Sequence, residues 1–278
     1  MSQYISLMTD RLPKYDSPPV VEAVLSVQFA PLQHFSSAHA GWFWKNYLDK
    51  EWGTVHVAPR LDDQFERFGD EMIWGRGAGL RIATQPEPDR LQIIRADNER
   101  MIQIQDTRFI YNWKKQEGGY PSYDKLLPEF QQAFSSFKKF TNDSGNSPLK
   151  LNQWEVTYVN FLPKGELWQT INDWQKIFPA LSKPVTTIDN LSPEDFRVEW
   201  RLTIGNNLGR LYITINRGKI GSEKGGEVIL LQFTARGPLK DENGISFQSG
   251  FDLGHQSIVL SFTDMTSDVA HKFWKRRA

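Results

Sequence analysis

A short stretch near the middle of the chain combines residue types that bind nucleic acids. Asn112, Trp113, Lys114 and Lys115 occur in a row, and Tyr120 follows them. An aromatic ring can stack on a base while a neighbouring ammonium group holds a phosphate. The alternative is the end of a strand with two solvated lysines. We predict these five residues as candidates for a partner-binding patch, with both interpretations open.

A second set of candidates consists of arginines that could line one face of a sheet: Arg76, Arg81, Arg90, Arg95 and Arg100. The planar guanidinium binds phosphate or carboxylate through two N–H groups. Arg81 and Arg95 are the members that we predict as binding residues. Ordinary cross-strand pairing with the acidic residues nearby is the alternative, and the local charge balance favours it.

Two single residues complete the candidates for partner binding. Trp42 falls outside the apolar stripe of a predicted helix, so its ring is available to a partner. Cover by a neighbouring loop is the commoner fate of a tryptophan, and it is the favoured alternative. Asn160 lies in a predicted strand that repeats the pattern of the first strand.

The sequence offers little for catalysis. It has no cysteine, which excludes disulfides, thiolate chemistry and cysteine-ligated zinc. Its five histidines show neither the His-x-x-x-His nor the Glu-x-x-His spacing of a helical metal site. The glycine cluster at 75–79 lacks the Gly-Lys-Ser/Thr ending of a phosphate loop, and there is no Gly-x-Ser-x-Gly motif. We predict no catalytic residue, no metal and no cofactor.

Charge and hydropathy narrow the class further. The chain of 278 residues carries 33 basic and 33 acidic side chains, so it lacks a basic footprint for nucleic acid at whole-chain level. The N-terminus lacks the basic-then-apolar order of a signal peptide, and no apolar run reaches the ~20 residues of a membrane span. We expect a cytoplasmic protein with no membrane partner.

The first half of the chain begins with an arm, a strand and a helix. Residues 1–19 end in Ser-Pro-Pro, which is neither helical nor suited to a central strand. Val20 to Phe29 alternates apolar and polar residues as a half-buried strand does. Apolar residues at helical spacing then extend from Ser36 or Ser37 to about Lys50.

An antiparallel meander and a second helix follow. The meander comprises the apolar runs Val55–Val57, Glu71–Trp74, Leu80–Ala83, Leu91–Ile94 and a last run from Met101 on towards Trp113. Residues 85–89 and 96–99 are its predicted hairpin turns. Tyr123 to Phe140 predicts an amphipathic helix, with Pro128 in its first turn or at its start.

After a linker the same order of signals returns. A strand ends at Phe161, and a helix is predicted with Leu167, Ile171, Trp174 and Phe178 on one stripe. Further strands are predicted at 196–204, 210–216 and 227–235. The tail, 251–277, is helical by pattern, and Thr266 or Ser267 caps its last segment.

Sequence matches between the halves indicate an internal duplication. Val27-x-Phe29 and Val159-x-Phe161 close the two opening strands, and Arg90-Leu-x-Ile93 matches Arg210-Leu-x-Ile213 in residue type and in order. We predict an arm at 1–19, a first α+β repeat at 20–141, a linker at 142–150 and a second repeat at 151–278.

Several short motifs resemble a family of bacterial proteins of about this length with a sporadic distribution. They are Pro18-Pro19-x-x-Glu22, Asn112-Trp113 with Tyr120-Pro121-x-Tyr123, Tyr158-x-Asn160, and the closing His255, Phe262 and Trp274. The resemblance covers nearly the whole chain. It implies a bacterial origin, and it implies no activity because the function of that family is uncharacterised.

The predicted fold class is α+β, with two tandem pseudosymmetric strand-helix-meander-helix repeats and helices on one face of an antiparallel sheet. The strands form either one continuous curved sheet or two sheets that meet at a pseudo-twofold axis. The order of elements is similar to that of the TATA-box-binding protein, whose two halves share one curved sheet. A likeness of topology does not imply a function.

The function predicted from these features is binding without catalysis. We expect a regulatory protein of a bacterial accessory system, such as phage defence or toxin neutralisation, that grips a macromolecule on the open sheet face. A protein partner is preferred because the chain is neutral. The alternatives are a saddle-shaped nucleic-acid binder, and a small-molecule sensor or enzyme with a pocket between sheet and helix. A homodimer stays open.

Overall fold

The computed structural model describes residues 12–68, 89–146, 148–181, 188, 191, 194–195, 197–221, 226–239 and 246–277. Within them the chain forms an α+β structure with one nine-stranded sheet. The strands are β1 (Val20–Phe29), β2 (Trp52–Ala58), β3 (Arg90–Arg95), β4 (Arg100–Gln105), β5 (Arg108–Lys114), β6 (Leu151–Pro163), β7 (Val198–Ile204), β8 (Gly209–Lys219) and β9 (Glu227–Pro238).

Five α-helices accompany the sheet: α1 (Ser37–Tyr47), α2 (Tyr123–Asp143), α3 (Trp174–Ile177), α4 (Phe247–Met265) and α5 (Asp268–Phe273). Two single 3₁₀ turns, Ile171–Asp173 and Pro179–Leu181, flank α3. The Ser267 side chain accepts a hydrogen bond from the Ala270 N–H and caps α5, which confirms the cap predicted there.

The strand order is β2-β3-β4-β5-β1-β6-β9-β8-β7, and every neighbouring pair is antiparallel. The two opening strands of the halves, β1 and β6, therefore pair with each other at the centre of the sheet. Leu25 is paired with Val156, and Ala23 with Tyr158. Of the two arrangements open from the sequence, the continuous sheet is the one that forms.

One face of the sheet packs against helices α1, α2 and α4 and forms the core. Successive residues of a strand point to opposite faces, so alternate positions are apolar and buried. On this face Phe29 and Phe109 contact Phe137 of α2, with ring centroids 5.7 and 5.0 Å apart. Phe43 of α1 packs on the same ring at 5.5 Å.

Glycines surround one buried tryptophan of this core. Trp154 of β6 is fully buried. A Cβ atom built on Gly209, Gly237 or Gly254 would lie 2.8 Å from the Trp154 indole ring. A Cβ atom built on Gly250 would lie 2.8 Å from Cδ2 of the same ring and closer still to its Cγ. Strands β8 and β9 and helix α4 therefore reach the ring only because these positions carry no side chain.

Three predicted elements differ in the structure. The run from Met101 towards Trp113 is two strands, because Asp106 and Thr107 form a two-residue turn that pairs Gln105 with Arg108. Pro128 is the sixth residue of α2 and lies in its second turn, so the helix there lacks one backbone N–H donor.

The helix predicted around residues 167–178 is the third difference. It is reduced to a 3₁₀ turn and the four residues of α3. Thr170 and Asp173 form a capping box that starts the helical segment late, and Pro179 follows its end. The predicted strands at 71–74 and 80–83 lie outside the described residues.

Candidate functional site

The face of the sheet opposite the helices carries mostly polar side chains (the polar face). Gln28 of β1 lies on it and is paired with Arg108 of β5 and with Gln153 of β6. Cross-strand partners share a face, so one end of the polar face carries a row of polar residues across six strands. The row consists of Gln105, Arg108, Gln28, Gln153, Glu155, Arg236 and Arg210.

Residues 59–68, which follow β2, cross this end of the polar face (the strap). Leu61 contacts β4 through Gln105, and Glu66 contacts β9 and β8 through Arg236 and Arg210. Four strand spacings separate β4 from β9, which is roughly 19 Å, and five extended residues reach roughly 17 Å. The strap is therefore an extended polypeptide that runs nearly perpendicular to the strands.

Glutamine side chains hold the strap by its backbone. The Leu61 N–H donates to Gln105 Oε1 at 3.0 Å, and Gln105 Nε2 donates to the Leu61 carbonyl at 3.0 Å. Gln28 makes the same pair of bonds with the N–H and carbonyl of Gln64, both at 2.9 Å. Gln153 also donates to the Gln64 carbonyl. The side-chain amide of each glutamine supplies an N–H donor and a carbonyl acceptor, as the backbone of a neighbouring strand would.

A buried carboxylate fixes the far end of the strap. The Glu66 side chain is 4% exposed and lies 2.6 Å from Arg210 Nη1 and 2.7 Å from Arg236 Nε. The Tyr212 hydroxyl donates to Glu66 Oε1 at 2.7 Å. Burial and this hydrogen bond raise the pKa of Tyr212, so the phenol remains a neutral donor.

A second charged cluster fixes the near end of the strap to the turn between β4 and β5. Arg60 Nε donates to Asp106 Oδ1 at 3.1 Å, and its Nη2 donates to Asp63 Oδ2 at 3.0 Å. The Thr107 hydroxyl donates to Asp63 Oδ1 at 2.7 Å. The strap is therefore held at its near end by a basic residue, Arg60, on the turn acid Asp106, and at its far end by an acidic residue, Glu66, on the arginines of the row.

Arg108 is the least satisfied cation of the row. It is 6% exposed, and its Nη2 donates only to neutral oxygens, Gln28 Oε1 at 2.8 Å and the Asp62 carbonyl at 3.1 Å. Its Nε has no hydrogen-bond partner, and no carboxylate of the described residues forms an ion pair with it. Burial lowers the pKa of Arg108, and the negative charge of Glu155 opposes this shift without cancelling it.

A small cavity lies beside Arg108 under the strap. Its volume is about 10 Å³, the space of one water molecule. Gln28, Gln64, Gln153, Glu155 and Arg236 are among the residues that line it. The strap thus covers a polar site without filling it.

Further along the polar face, side-chain amides form a ladder across four strands. Gln92 Nε2 donates to Gln103 Oε1 at 3.0 Å, and Gln103 Nε2 donates to Asn112 Oδ1 at 2.7 Å. Asn112 Nδ2 then donates to Glu22 Oε1 at 2.7 Å. This places Asn112 on the polar face, as one member of an internal network.

The five residues predicted as a patch at 112–120 do not lie on a single surface. Asn112 and Trp113 are successive residues of β5, so they point to opposite faces. Trp113 is fully buried on the helix face, where its ring lies 5.4 Å from that of Tyr120. Lys114 and Lys115 are exposed at the strand end. No base can stack on Trp113 in this arrangement.

The remaining candidates are scattered over the structure. Arg95 pairs with Asp97 in the adjacent turn, through Nε at 2.9 Å. Trp42 is 38% exposed, with its ring edge on Tyr47 and Phe140. Asn160 is buried and donates to the Leu231 carbonyl at 3.0 Å. Arg81 lies outside the described residues.

A hydrogen-bonded network on the helix face links four residues of the short motifs named above, Tyr120, Tyr123, Tyr158 and His255, of which Tyr123 and Tyr158 are buried. The Tyr120 hydroxyl donates to Tyr158 at 2.8 Å, and the Tyr158 hydroxyl lies 2.8 Å from His255 Nδ1. The Tyr123 ring stacks on His255 with centroids 4.2 Å apart, and its hydroxyl donates to Asp252 at 2.7 Å. The imidazole of His255 is neutral at pH 7, and its tautomer decides which of Tyr158 and Nδ1 donates.

We expect this network to make the protein acid-sensitive. Burial lowers the pKa of His255 from 6.5 to about 4, so between these values the unfolded chain binds more protons than the folded one. Stability should therefore fall as pH drops from 6.5 towards 4, by about 2 to 3 kcal/mol. Urea unfolding at pH 7 and 4.5 measures the loss.

The matched control for the acid test is His255→Gln, which keeps an acceptor for Tyr158 and removes the titrating ring. This variant should be less stable at pH 7 and should lose much less on acidification. An equal acid loss in both proteins would contradict the assignment to His255.

Sequence reasoning missed the row of glutamines and its strap. Each of the glutamines Gln28, Gln105 and Gln153 occupies a polar position near the end of a strand. Their shared position is the one feature of the sequence from which the row could have been predicted. Strap residues 59–68 have neither strand nor helix periodicity, so nothing in their pattern predicted the contacts. Arg108 and Arg236 were hidden because each reads as the polar half of an alternating strand.

The described residues contain no cluster of three or more His, Asp or Glu side chains that could hold a metal ion. Among the helices that the structure describes, none has the length and apolarity of a membrane span. Comparison with protein-family models, with curated proteins and with solved structures found no match for this chain.

Proposed function

We propose that this protein is a non-enzymatic binding protein whose polar face holds an extended segment of another protein. The observation that carries the proposal is the pairing of Gln28 and Gln105 with the strap backbone. These bonds recognise an N–H and a carbonyl, which every polypeptide residue except proline offers. The chemistry of the face is therefore suited to polypeptide in general.

The charges of the row favour protein over nucleic acid. Arg210 and Arg236 face Glu66, and Arg236 also lies 3.4 Å from Glu155. A phosphate chain on the face would meet the Glu155 carboxylate of the row beside Arg236. Nucleic acid that binds the protein and is released steeply by added salt would favour the nucleic-acid alternative, because such binding releases counterions.

The size of the cavity argues against a small-molecule ligand under the strap, whereas the alternative predicted from the sequence places its pocket between sheet and helix. A ligand pocket commonly has roughly 300 Å³ or more. The cavity beneath the strap has about 10 Å³. An extended chain that lies on the face needs no such enclosed volume.

We also propose that the chain arose by duplication of one unit, now residues 20–141 and 151–278 with a linker at 142–150. Outward from the β1–β6 pair, one side reads β5, β4, β3, β2 and the other β9, β8, β7, so the two sides run in the same order and the first has one strand more. This order supports the likeness to the TATA-box-binding protein. A place in a bacterial accessory system rests on the family resemblance alone.

Photo-crosslinking in the native host tests the binding proposal. A photoreactive amino acid at Thr214, half-buried on the polar face of β8, should capture a polypeptide on irradiation. Mass spectrometry of the adduct should find one recurring segment of one partner protein. The same amino acid at Leu260, which is 40% exposed on α4, is the matched control and should capture far less.

Adducts with nucleic acid at Thr214 would contradict the protein-binding proposal and support the nucleic-acid alternative. Equal capture at Thr214 and Leu260 would show that the polar face has no special role and would reject the proposed function.

A further inference from the structure

We propose that the strap is an internal occupant of the partner site, and that the partner is an acidic, extended segment that displaces it. The inference rests on the proposed function, since it assigns the polar face to polypeptide. It adds the chemistry of the partner and a reason why the free protein is closed.

The strap has the features of a displaceable occupant. Its contacts with the row are hydrogen bonds and ion pairs, each of which an incoming chain could replace with an equivalent bond. Of its two aromatic residues, Phe65 is 57% exposed and adds little apolar anchoring. The ring of Phe68 lies 4.7 Å from the Arg210 guanidinium, a cation–π contact that an aromatic residue of an incoming chain could also make. Segments held in this way open more readily than packed core elements.

The strap also leaves one position of the site poorly matched. Where it crosses β5, its one hydrogen bond with the buried Arg108 guanidinium is to the neutral Asp62 carbonyl, and Arg108 Nε has no hydrogen-bond partner. The Asp63 carboxylate of the strap attracts Arg108 without a hydrogen bond to it. A carboxylate from an incoming chain would pair with this cation through a stronger, charge-assisted bond. The water-sized cavity beside Arg108 leaves room for such a rearrangement.

The far end defines the second recognition element. Arg210, Arg236 and Tyr212 converge on the Glu66 carboxylate, which is almost fully buried there. Strands β5 and β9 are three spacings apart, roughly 14 Å, and four extended residues span roughly 13 Å. The partner is therefore expected to carry acidic residues four positions apart, one over Arg108 and one between Arg210 and Arg236.

Peptide binding to the full-length protein tests the inference. The probe is a fluorescent synthetic peptide with the sequence of residues 59–68, which retains the carboxylate of Glu66. It should bind the unaltered protein weakly, because the internal strap is present at high effective concentration. It should bind a Glu66→Ala protein at least tenfold more tightly, because the internal strap is then poorly held.

Controls separate recognition from a general loss of structure. A probe peptide with the Glu66→Gln change should bind the Glu66→Ala protein at least tenfold more weakly than the unaltered peptide. An Arg210→Ala change added to the Glu66→Ala protein should weaken the unaltered peptide similarly. Melting temperatures of both proteins establish that they are folded.

Three results would overturn the inference. Equal affinity of the peptide for both proteins would mean that the strap does not occlude the site. Equal affinity of the Glu66→Ala protein for the unaltered and the Glu66→Gln peptides would show that the site does not require an acidic residue. Self-association of the Glu66→Ala protein through exchanged straps would assign the face to a second copy. Crosslinking from Thr214 reports on the proposed function independently, so the two can fail separately.

Discussion

Gly250→Ala is expected to destabilise the protein by about 3 kcal/mol or more, the upper range for an overpacked core position. The added methyl group would lie 2.8 Å from Cδ2 of the Trp154 indole and closer still to Cγ. These atoms belong to a rigid ring close to its attachment point, so a change of rotamer at a flexible end cannot relieve the contact.

Trp154 has no alternative position to occupy. Gly209, Gly237 and Gly254 approach the same ring from other sides. A Cβ atom added at any of these three positions would lie 2.8 Å from the Trp154 ring. Relief therefore requires a shift of α4 away from the sheet, which would open the core on either side of it.

Gly41→Ala is the matched control, since it makes the same change in another helix. Gly41 lies in α1 with no atom within 4 Å of its added Cβ. Alanine there should stabilise the helix by about 0.5 to 1 kcal/mol. Urea unfolding of both variants checks the pair, and similar free energies of unfolding in the two would contradict the packing argument.

Trp113→Ala should lower the free energy of unfolding by about 3 to 5 kcal/mol, as removal of a buried aromatic ring usually does. Trp113 is fully buried between β5 and the ring of Tyr120. The cavity left behind would also loosen Tyr120, which donates to the network of Tyr158 and His255.

Trp42→Ala is the control for this variant, because Trp42 is 38% exposed. It should cost well under half as much, from its edge contacts with Tyr47 and Phe140. Thermal and urea unfolding measure both changes. A Trp113→Ala protein of unaltered stability that failed to bind its partner would restore the surface patch.

The alternation of apolar and polar residues was sufficient to predict the sheet. It identified β1, β3, β6, β8 and β9 to within a few residues, because one face of each strand is buried against helices. The same rule, applied to neighbouring residues, separates Asn112 from Trp113. The patch hypothesis treated five nearby residues as one surface, whereas the strand places Asn112 and Trp113 on opposite faces.

Other features depended on contacts between distant parts of the chain. Apolar residues at helical spacing extend over 167–178. The capping box before α3 and Pro179 after it confine the α-helix to the four residues of α3. The strap depends on side chains from six strands that the fold brings into one row. No local pattern in residues 59–68 encodes that row, since each contact partner lies far away in sequence.

The central pairing of β1 with β6 has a consequence for biosynthesis. The ribosome makes residues 20–29 long before residues 151–163 emerge, so one edge of β1 must wait for its partner. An unpaired edge of a nascent sheet can bind to other chains, and contacts that are distant in sequence form slowly. A chain arrested before β6 should therefore aggregate or recruit chaperones, whereas the finished protein closes that edge itself.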